Sequence, residues 1–379
     1  MINRRYGRLM NFHAGSLTLV EGCARMERMS RRYPFLMWGL LLMVALGSAA
    51  LWWHFRLRQE PIIREVPRKG GLDITLLAAS DLHFGSAILD RDAKGREVWI
   101  EALPVRRTMD EQMKRIAGKP YPRAIGGNVA PPWSLVITGD LTENGKPEEW
   151  QQFAAFYGLQ AGIPEPVPSS NTHAPGPGER LPVFECVGNH DWNPEEYATR
   201  QVAARHGGND YSIDYGDLHL ASLNAGPDEA GLKWLQRDLA ATGRERPVIL
   251  YMHYPLVGPY SDYWWAVKPA LTDKFAQVIS GFNIIAILHG HYHVPGCYKW
   301  RGVDVYNIGS IKHGARCFGV IHVTDHSFTF ASWNSQQNDW WWWHSKPINI
   351  HPTPGTKEIL DTHVTRAAIG RPAIPYPAH

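Results

Sequence analysis

The chain has 379 residues, of which 44% are hydrophobic and 20% are charged, and this composition excludes a disordered protein. A formal net charge of +3, without a dense basic stripe beyond the N-terminus, gives no reason to expect a nucleic-acid partner. The four cysteines lie far apart with no CxxC pair, so neither a disulfide framework nor a zinc ribbon is indicated. Cys297 and Cys317 flank a predicted hairpin, and they either pair or are two buried thiols.

The first predicted element is an apolar helix near the N-terminus. No charged residue interrupts the 21 positions from 33 to 53, a length that spans the hydrocarbon core of a membrane. Arginines precede this run in excess and tryptophans lie near its ends, which favours a cytoplasmic N-terminus. We therefore predict a basic cytoplasmic segment at 1–32, a transmembrane signal anchor at 33–54 and a linker at 55–72, with the rest of the chain extracytoplasmic.

Two other interpretations of this apolar run stay open. The stretch SRRYPFL at 30–36 resembles a twin-arginine export signal, and the small residues at 47–50 would then form a cleavage region. Alternatively, the run is a buried helix of the core, although it shows no amphipathic period. A cleaved signal would give an exported protein without an anchor.

Strand and helix patterns alternate from the linker to about residue 295. Short apolar runs predict five buried strands, and a spacing of 3.6 residues predicts three helices. The strands are expected at 73–80, 133–139, 182–188, 247–253 and 283–290, and the helices at 146–160, 194–207 and 229–242. A hairpin at 211–224 and a run of strands after residue 295 complete a pattern that favours an α/β protein with helices on both faces.

Two insertions and a tail lie outside this pattern. Residues 86–131 and 163–181 are expected to be irregular and have the length of functional rims or lids. Residues 345–379 are proline-rich and predict a tail that packs on the surface or is partly disordered. The four tryptophans at 340–343 cannot all face a core from one side of a strand. They indicate a membrane-interface patch, the rim of a site, or ordinary packing.

Each of the five core strands ends in residues that can bind a metal ion. Asp81 with His83, and His291 with His293, are spaced two apart, which places both side chains of a pair on one side of an extended segment. Ligands of α/β sheets bind at the carboxyl ends of the strands, so we expect these side chains to meet. The polar residues at the five strand ends are Asp81, His83, Asp140, Asn189, His190, Asp191, His253, His291 and His293.

This set of side chains predicts a centre with two metal ions. Carboxylates, imidazoles and an amide, without a thiolate, suit Mn, Fe or Zn better than Ca. The candidate ligands outnumber those that one ion uses, and paired ions about 3.5–4 Å apart hold a bridging hydroxide that attacks phosphorus in line. Asp140 stands alone at the end of its strand and is the natural bridging carboxylate.

The five motifs resemble, in family order, those of the calcineurin-like metallophosphoesterase superfamily. They are Asp81-x-His83, Gly139-Asp140, Gly188-Asn189-His190-Asp191, His253 and Gly290-His291-Tyr292-His293. The resemblance spans about 73–310 and implies a four-layer α/β/β/α sandwich of two mixed sheets, with the metal site at the carboxyl ends of the core strands. The domain would occupy 73–344, after the predicted transmembrane helix. By resemblance, the first metal is held by Asp81, His83 and His293, both metals by Asp140, and the second metal by Asn189, His253 and His291.

Two departures from the protein phosphatases of this superfamily indicate the branch. Those enzymes carry Gly-Asn-His-Glu and a longer Gly-Asp motif, whereas this chain has Asp191 and the stretch GDLTENG at 139–145. The resemblance is therefore closer to the small-molecule phosphodiesterases and phosphohydrolases. The expected substrate is a phosphomonoester or phosphodiester of a small molecule, nucleotide or lipid head group. A lipid-linked pyrophosphate hydrolase and a non-catalytic binding protein on the same fold are the alternatives.

The remaining side chains of the motifs suggest a route for the proton. His190 is the candidate general acid for the leaving oxygen, oriented by Asp191, which also offsets the tendency of the cations to depress the pKa of this histidine. Tyr254 and Tyr292 adjoin ligand motifs. They either line the substrate pocket, where they would stack on a base or pack a lipid chain, or serve only for packing.

Overall fold

The computed structural model describes residues 71–160, 163–165, 174–176, 179–256, 269–312, 316–348 and 364–366. The predicted cytoplasmic segment, the anchor and nearly all of the linker lie outside these residues and stay predictions. No helix in the described part of the chain is both long enough and apolar enough to cross a membrane.

The described residues form fifteen strands and five α-helices. The strands are β1 (Asp73–Ala79), β2 (Ile88–Arg91), β3 (Glu97–Ile100), β4 (Leu135–Thr138), β5 (Val183–Cys186), β6 (Asp210–Tyr215), β7 (Leu218–Leu223), β8 (Val248–Tyr251), β9 (Ile284–His289), β10 (Gly296–Trp300), β11 (Val303–Asn307), β12 (Cys317–Thr324), β13 (Ser327–Asn334), β14 (Asp339–Pro347) and β15 (Val364–Arg366). The helices are α1 (Ala102–Lys114), α2 (Pro147–Tyr157), α3 (Tyr197–His206), α4 (Glu229–Thr242) and α5 (Pro269–Ile279), and a 3-10 turn covers Asn189–Asp191.

The first large sheet carries three of the five motifs that are predicted to bind metal. Its strand order is β15-β14-β13-β12-β1-β4-β5. Strands β1, β4 and β5 run parallel, in a register that pairs Ala79 with Ile137 and Ile137 with Glu185. The other neighbours are antiparallel. This register aligns the carboxyl ends of the three parallel strands, so the motifs that follow them share one edge of the sheet.

The second large sheet carries the other two motifs. Its strand order is β10-β11-β9-β8-β7-β6, with β7, β8, β9 and β11 parallel and the edge strands β6 and β10 antiparallel. His253 follows the end of β8, and the loop 290–293 follows the end of β9. The expectation of two mixed sheets is confirmed.

Strand β1 shows why the core strands are continuous apolar runs in the sequence. Leu76 and Ala78 belong to a buried cluster formed by residues of both large sheets, whereas Leu77 and Ala79 belong to a cluster with the helices. Successive residues of a strand point to opposite faces, and here both faces are covered. Full burial of a leucine such as Leu76 stabilises the fold by about 1.5–3 kcal/mol.

The expectation that residues 86–131 are irregular is wrong. Strands β2 and β3 form a hairpin, and α1 follows it. Helix α1 buries Ala102, Arg106, Met109 and Met113, which are spaced as one helical face. An arginine within this face breaks the apolar pattern, which hid the helix in the sequence. Helix α5 was also not predicted.

The tryptophan run packs on both faces of β14. A β-bulge at Ser332/Trp333 pairs Trp333 with Trp340 and Ser332 with Trp342, so the tryptophans on either side of position 341 point to opposite faces. Trp340 contacts Trp333 in the cluster shared with the helices, and Trp342 contacts Phe330 in the cluster between the sheets. Ordinary packing therefore accounts for the two most buried members of the run.

Strand β14 continues to Pro347, past the predicted domain end at 344, and β15 pairs with it from within the predicted tail. Cys297 and Cys317 are free thiols, so the disulfide alternative is wrong. Cys317 is buried in β12 and Cys297 is partly buried in β10. Burial raises the pKa of both thiols to about 12, which makes them inert.

Candidate metal centre

The predicted ligands come together at the carboxyl edge of both sheets. Two groups of carboxylate and imidazole atoms each lie within 4.8 Å of one another, and Asp140 belongs to both. The first group is Asp81, His83, Asp140 and His293, and the second is Asp140, His253 and His291. Asn189 adjoins the second group, with its Oδ1 3.0 Å from Nε2 of His253. The structure thus places all seven predicted ligands in one region.

The ligand loops have an unusual backbone. Five predicted ligands have positive φ: Asp81 (52°), His83 (45°), Asp140 (50°), His291 (71°) and His293 (57°). Such values are uncommon for residues other than glycine, and they cluster at functional sites. The expectation that each pair lies on an extended segment is therefore wrong: left-handed turns, and not strand alternation, aim these side chains.

Two motif glycines allow the loops to approach. A Cβ on Gly188 would lie 2.2 Å from Oδ1 of Asp140, and a Cβ on Gly290 would lie 1.9 Å from Oγ of Ser80 and 2.6 Å from Oδ2 of Asp81. Any larger residue would displace a candidate ligand. The glycines therefore form part of the site by leaving space for its carboxylates.

The first group is built around two buried acids. Nε2 of His293 lies 2.9 Å from Oδ1 of Asp81, and the backbone N–H of His291 donates to the Asp81 carboxylate at 3.1 Å. Nε2 of His83 lies 3.6 Å from Oδ2 of Asp140 and has no hydrogen-bond partner in the described part of the chain. Because a buried nitrogen without a partner is costly, this atom fits a metal ion.

The second group is oriented from behind by the backbone. Nδ1 of His253 lies 2.8 Å from the carbonyl oxygen of Thr138, so Nδ1–H donates and Nε2 presents its lone pair. That Nε2 faces Oδ2 of Asp140 at 3.3 Å and Nδ1 of His291 at 3.2 Å, in addition to Asn189. Acceptor atoms that converge in this way need a proton or a metal ion between them, so the arrangement fits a metal ion.

The pKa values of the carboxylates and imidazoles in the two groups also indicate a site that favours positive charge. Burial opposes ionisation of Asp81, yet His293 lowers its pKa to about 2, and His253 likewise holds the pKa of Asp140 well below its usual value. Against burial, Asp140 raises the pKa of His253 to about 9. Burial lowers the pKa of His83 to about 4, and burial together with His253 lowers that of His291 to about 3. A metal ion would supply the charge that protonated His253 supplies in its absence.

Asp191 does not orient His190, and this expectation is wrong. The Asp191 carboxylate accepts hydrogen bonds from the backbone N–H groups of Leu141, Thr142 and Gly188 and from the hydroxyl of Thr142. All four acceptor positions are therefore used. Burial and the neighbouring Asp140 raise the pKa of Asp191 to about 6. Its carboxylate joins the loop that carries Asp140 to the loop that carries Asn189.

His190 is held instead by Glu143. Nδ1 of His190 lies 2.8 Å from the carbonyl oxygen of Glu143, and its backbone N–H donates to Oδ1 of Asp140 at 2.9 Å. The ring is partly exposed beside the metal-binding groups. With Nδ1–H donating to the backbone, Nε2 is the atom that can exchange a proton with a substrate.

Three residues at the site were not predicted from the sequence. Glu143 and Lys312 form an ion pair beside His83, and Arg106 of α1 donates to the carbonyl oxygens of Leu82 and His83. Glu143 stands three residues after Asp140 in GDLTENG, which was the one available signal. No pattern marked Lys312 or Arg106.

The two tyrosines differ in exposure. Tyr254 is 4% exposed and packs edge-on against His253 and His291, so it supports the second ligand group and is not an open stacking surface. Tyr292 is partly exposed beside His289 and His291. Of the two, only Tyr292 can face a substrate.

Comparisons with known proteins agree with this geometry. The family model for calcineurin-like phosphoesterases matches residues 74–295, more than half of the chain. A probable cyclic nucleotide phosphodiesterase of Rhodococcus erythropolis is 26% identical over 188 residues, which are 46% of this chain and 56% of that protein. The chain thus spans just over half the length of this relative.

Among solved structures, a dimetal phosphatase from Danio rerio is 10% identical, with 68% of this chain and 95% of that chain covered and a TM-score of 0.45. GAP50, the anchor in the inner membrane complex of Plasmodium, is also 10% identical, with 74% of this chain and 90% of that chain covered and a TM-score of 0.47. The extent of the family match decides the assignment: the chain belongs to the calcineurin-like phosphoesterase family.

Proposed function

We propose that this protein is a phosphoesterase with two metal ions that hydrolyses a phosphodiester or phosphomonoester of a small molecule, nucleotide or lipid head group. The observation that carries the proposal is the pair of ligand groups that share Asp140. A single ion would leave one of the groups unused, whereas a shared carboxylate is the natural bridge between two ions.

The proposed ligands divide as the two groups do. Asp81, His83 and His293 would hold the first ion, Asp140 both, and Asn189, His253 and His291 the second. The mixed oxygen and nitrogen donors suit Mn, Fe or Zn. The positions at the carboxyl ends of β1, β4, β5, β8 and β9 are those expected for a ligand site in a four-layer α/β/β/α sandwich, the finer fold that we propose for the domain.

When bound, such ions activate a water for attack at phosphorus and offset the charge that builds on the phosphoryl oxygens. The protein contributes the proton. His190, with Nδ1 tied to the backbone, would donate from Nε2 to the leaving oxygen and so avoid the release of an alkoxide. Asp191 would contribute indirectly, because it holds the loops on which Asp140 and Asn189 stand.

A phosphodiester is the substrate class that the comparisons favour. The relative from Rhodococcus erythropolis is named a probable cyclic nucleotide phosphodiesterase, and the part that matches this chain is 56% of its length. A cyclic or linear nucleotide diester is accordingly the first substrate to test. The membrane anchor and an extracytoplasmic location of the domain remain part of the proposal, on the strength of the uncharged run at 33–53.

The test is hydrolysis by the purified full chain with Mn. We expect turnover of bis-p-nitrophenyl phosphate and of at least one compound among cyclic nucleotides, nucleoside phosphates, phospholipids and lipid-linked pyrophosphates. A chelator should abolish turnover, and added Mn should restore it. Metal binding without hydrolysis of any of these compounds would contradict the proposal and favour a binding protein on this fold.

A further inference from the structure

A largely buried lysine and a partly exposed glutamate form an ion pair beside the first ligand group. Nζ of Lys312 lies 2.8 Å from Oε1 and 2.7 Å from Oε2 of Glu143. The side chains are 11% and 24% exposed. An ion pair that contacts both carboxylate oxygens at such low exposure is held more firmly than a surface pair.

Glu143 also contacts a candidate ligand. Its Oε2 lies 2.8 Å from Nδ1 of His83, an ion-pair distance without hydrogen-bond geometry, and the opposite nitrogen of that ring faces Asp140. A carboxylate this close to Nδ1 favours the tautomer with its proton on that nitrogen, which leaves the lone pair on Nε2, the nitrogen that faces Asp140. Glu143 is thus placed to set both the tautomer and the orientation of His83.

Both members of the pair are fixed to the loop that carries Asp81 and His83. The backbone N–H of Glu143 donates to the carbonyl oxygen of Phe84 at 2.9 Å. The backbone N–H of Lys312 donates to Oγ of Ser310 at 2.9 Å, and that hydroxyl donates to the carbonyl oxygen of Asp81 at 3.2 Å. The pair therefore moves with this loop as one unit.

The ammonium of Lys312 also neutralises the charge of the Glu143 carboxylate. His83, Glu143 and His190 form a third set of atoms within 4.8 Å that could hold a metal ion. The Lys312 ammonium already contacts both oxygens of Glu143, and a metal ion there would be placed beside a fixed positive charge. The fixed ammonium, and not a third ion, thus serves this position.

We propose that Glu143 and Lys312 are positioning residues for the first metal ion. Glu143 fixes the ring of His83, Lys312 fixes Glu143, and the pair thereby raises the affinity of the first ligand group for its ion. The inference rests on the proposed function, because it assumes an ion at that group.

The test measures metal binding by variants of the full chain. Glu143→Gln keeps the shape of the side chain and the backbone carbonyl that holds His190, while Lys312→Met removes the ammonium and Lys312→Arg preserves the charge. Lys274→Met is the matched control, because Lys274 pairs with Glu229 on the surface. Metal-free protein is titrated with Mn against a chelating indicator, which counts equivalents and gives their affinities, and urea unfolding confirms that each variant is folded.

We expect the wild-type protein to bind two equivalents of Mn. Glu143→Gln should weaken one of them by about 10- to 100-fold and leave the other unchanged, as for other residues that orient a metal ligand. Lys312→Met should weaken the same equivalent by a smaller factor, and Lys312→Arg and Lys274→Met should match the wild type. The double variant should bind no more weakly than Glu143→Gln, because Lys312 acts only through Glu143.

Wild-type affinity for both equivalents in Glu143→Gln would overturn the proposal, and so would single losses that add in the double variant. If Glu143→Gln does not fold, equal metal affinities of Lys312→Met and Lys312→Arg would overturn it. The readout is separate from catalysis. If the wild type binds two ions but hydrolyses nothing, and Glu143→Gln weakens one of them, the proposed function is contradicted and this inference is supported.

Discussion

Nδ1 of His190 lies 2.8 Å from the carbonyl oxygen of Glu143, so a backbone group, and not the adjacent Asp191, sets the direction of this ring. A carbonyl accepts the Nδ1 proton without adding a negative charge. Nε2 of His190 is then the atom that can protonate a leaving oxygen.

Replacement of His190 by alanine should therefore slow the enzyme according to the leaving group. For alkyl or nucleoside leaving groups, which need a proton, kcat should fall by about 100- to 10,000-fold. For p-nitrophenolate, which leaves without one, the loss should stay below about tenfold. The measurement is kcat on a series of diesters of graded leaving-group pKa at saturating Mn. Equal losses across the series would rule out the acid role.

Asp191 should prove important for stability. Alanine at this position removes the acceptor of four buried donors, and the unsatisfied groups should lower the free energy of unfolding by about 3–5 kcal/mol. Asparagine keeps one acceptor oxygen and should cost less. Urea unfolding of the metal-free protein measures both. An orienting role for Asp191 would be restored if Asp191→Ala had wild-type stability and lost kcat on poor leaving groups as His190→Ala is expected to.

Arg106 connects the insertion to the metal centre. Its Nε and Nη2 donate to the carbonyl oxygen of Leu82 at 3.0 and 2.8 Å, and Nη2 also donates to that of His83. Arg106→Met removes both side-chain donors to the buried carbonyl oxygen of Leu82, whereas that of His83 keeps Ser86. The variant should destabilise the protein by about 2–3 kcal/mol and weaken metal binding. The exposed neighbour Arg107 is the control, and Arg107→Met should change neither quantity. If both variants behave alike, α1 does not support the site.

His219 should make stability depend on pH far from the metal centre. Its Nδ1 lies 2.8 Å from Asp214 and its Nε2 lies 2.8 Å from Asp238. Burial opposes the charge, but the two carboxylates raise the pKa of His219 above its usual value. Because the folded-state pKa is the higher one, the stabilisation is full below about pH 6.5 and is lost as the pH rises through the raised pKa.

The comparison with His219→Gln isolates this contribution. The wild type should be more stable than the variant, and this difference in the free energy of unfolding should be about 1 kcal/mol larger at pH 6 than at pH 9. The effect is modest because solvent around half-exposed Asp214 screens part of the interaction. Urea unfolding of the metal-free wild type and variant at both pH values gives the four free energies of unfolding. The same difference at pH 6 and pH 9 would show that folding does not raise the pKa of His219.

The strand ends were predictable, whereas the directions of their side chains were not. Apolar runs that stop at a glycine and a polar residue located Asp140, Asn189 and His291, because buried strands and their terminal turns differ sharply in composition. The positive φ of Asp81 and His83 depends on the packing of neighbouring loops. No local pattern contains that information.

Contacts between distant segments account for the other differences. Asp191 adjoins His190 in sequence, yet its carboxylate turns away toward the amides of the Asp140 loop. Helix α1 carries Arg106 within its buried face, which hides an otherwise amphipathic pattern. One bulge in β14 assigns the tryptophans to opposite faces, and bulges leave no sequence signal as strong as a turn.

Metal stoichiometry of the Asp140→Asn variant tests the central claim most directly. Asp140 belongs to both ligand groups, so its replacement should affect both ions, whereas Asp273→Asn, in a surface pair with Arg301, serves as the control. Metal-free wild type and control should each take up two equivalents of Mn and hydrolyse bis-p-nitrophenyl phosphate. Asp140→Asn should take up fewer than two and retain less than about one hundredth of the activity. Two tightly bound equivalents and full activity in Asp140→Asn would contradict a centre built on a shared carboxylate.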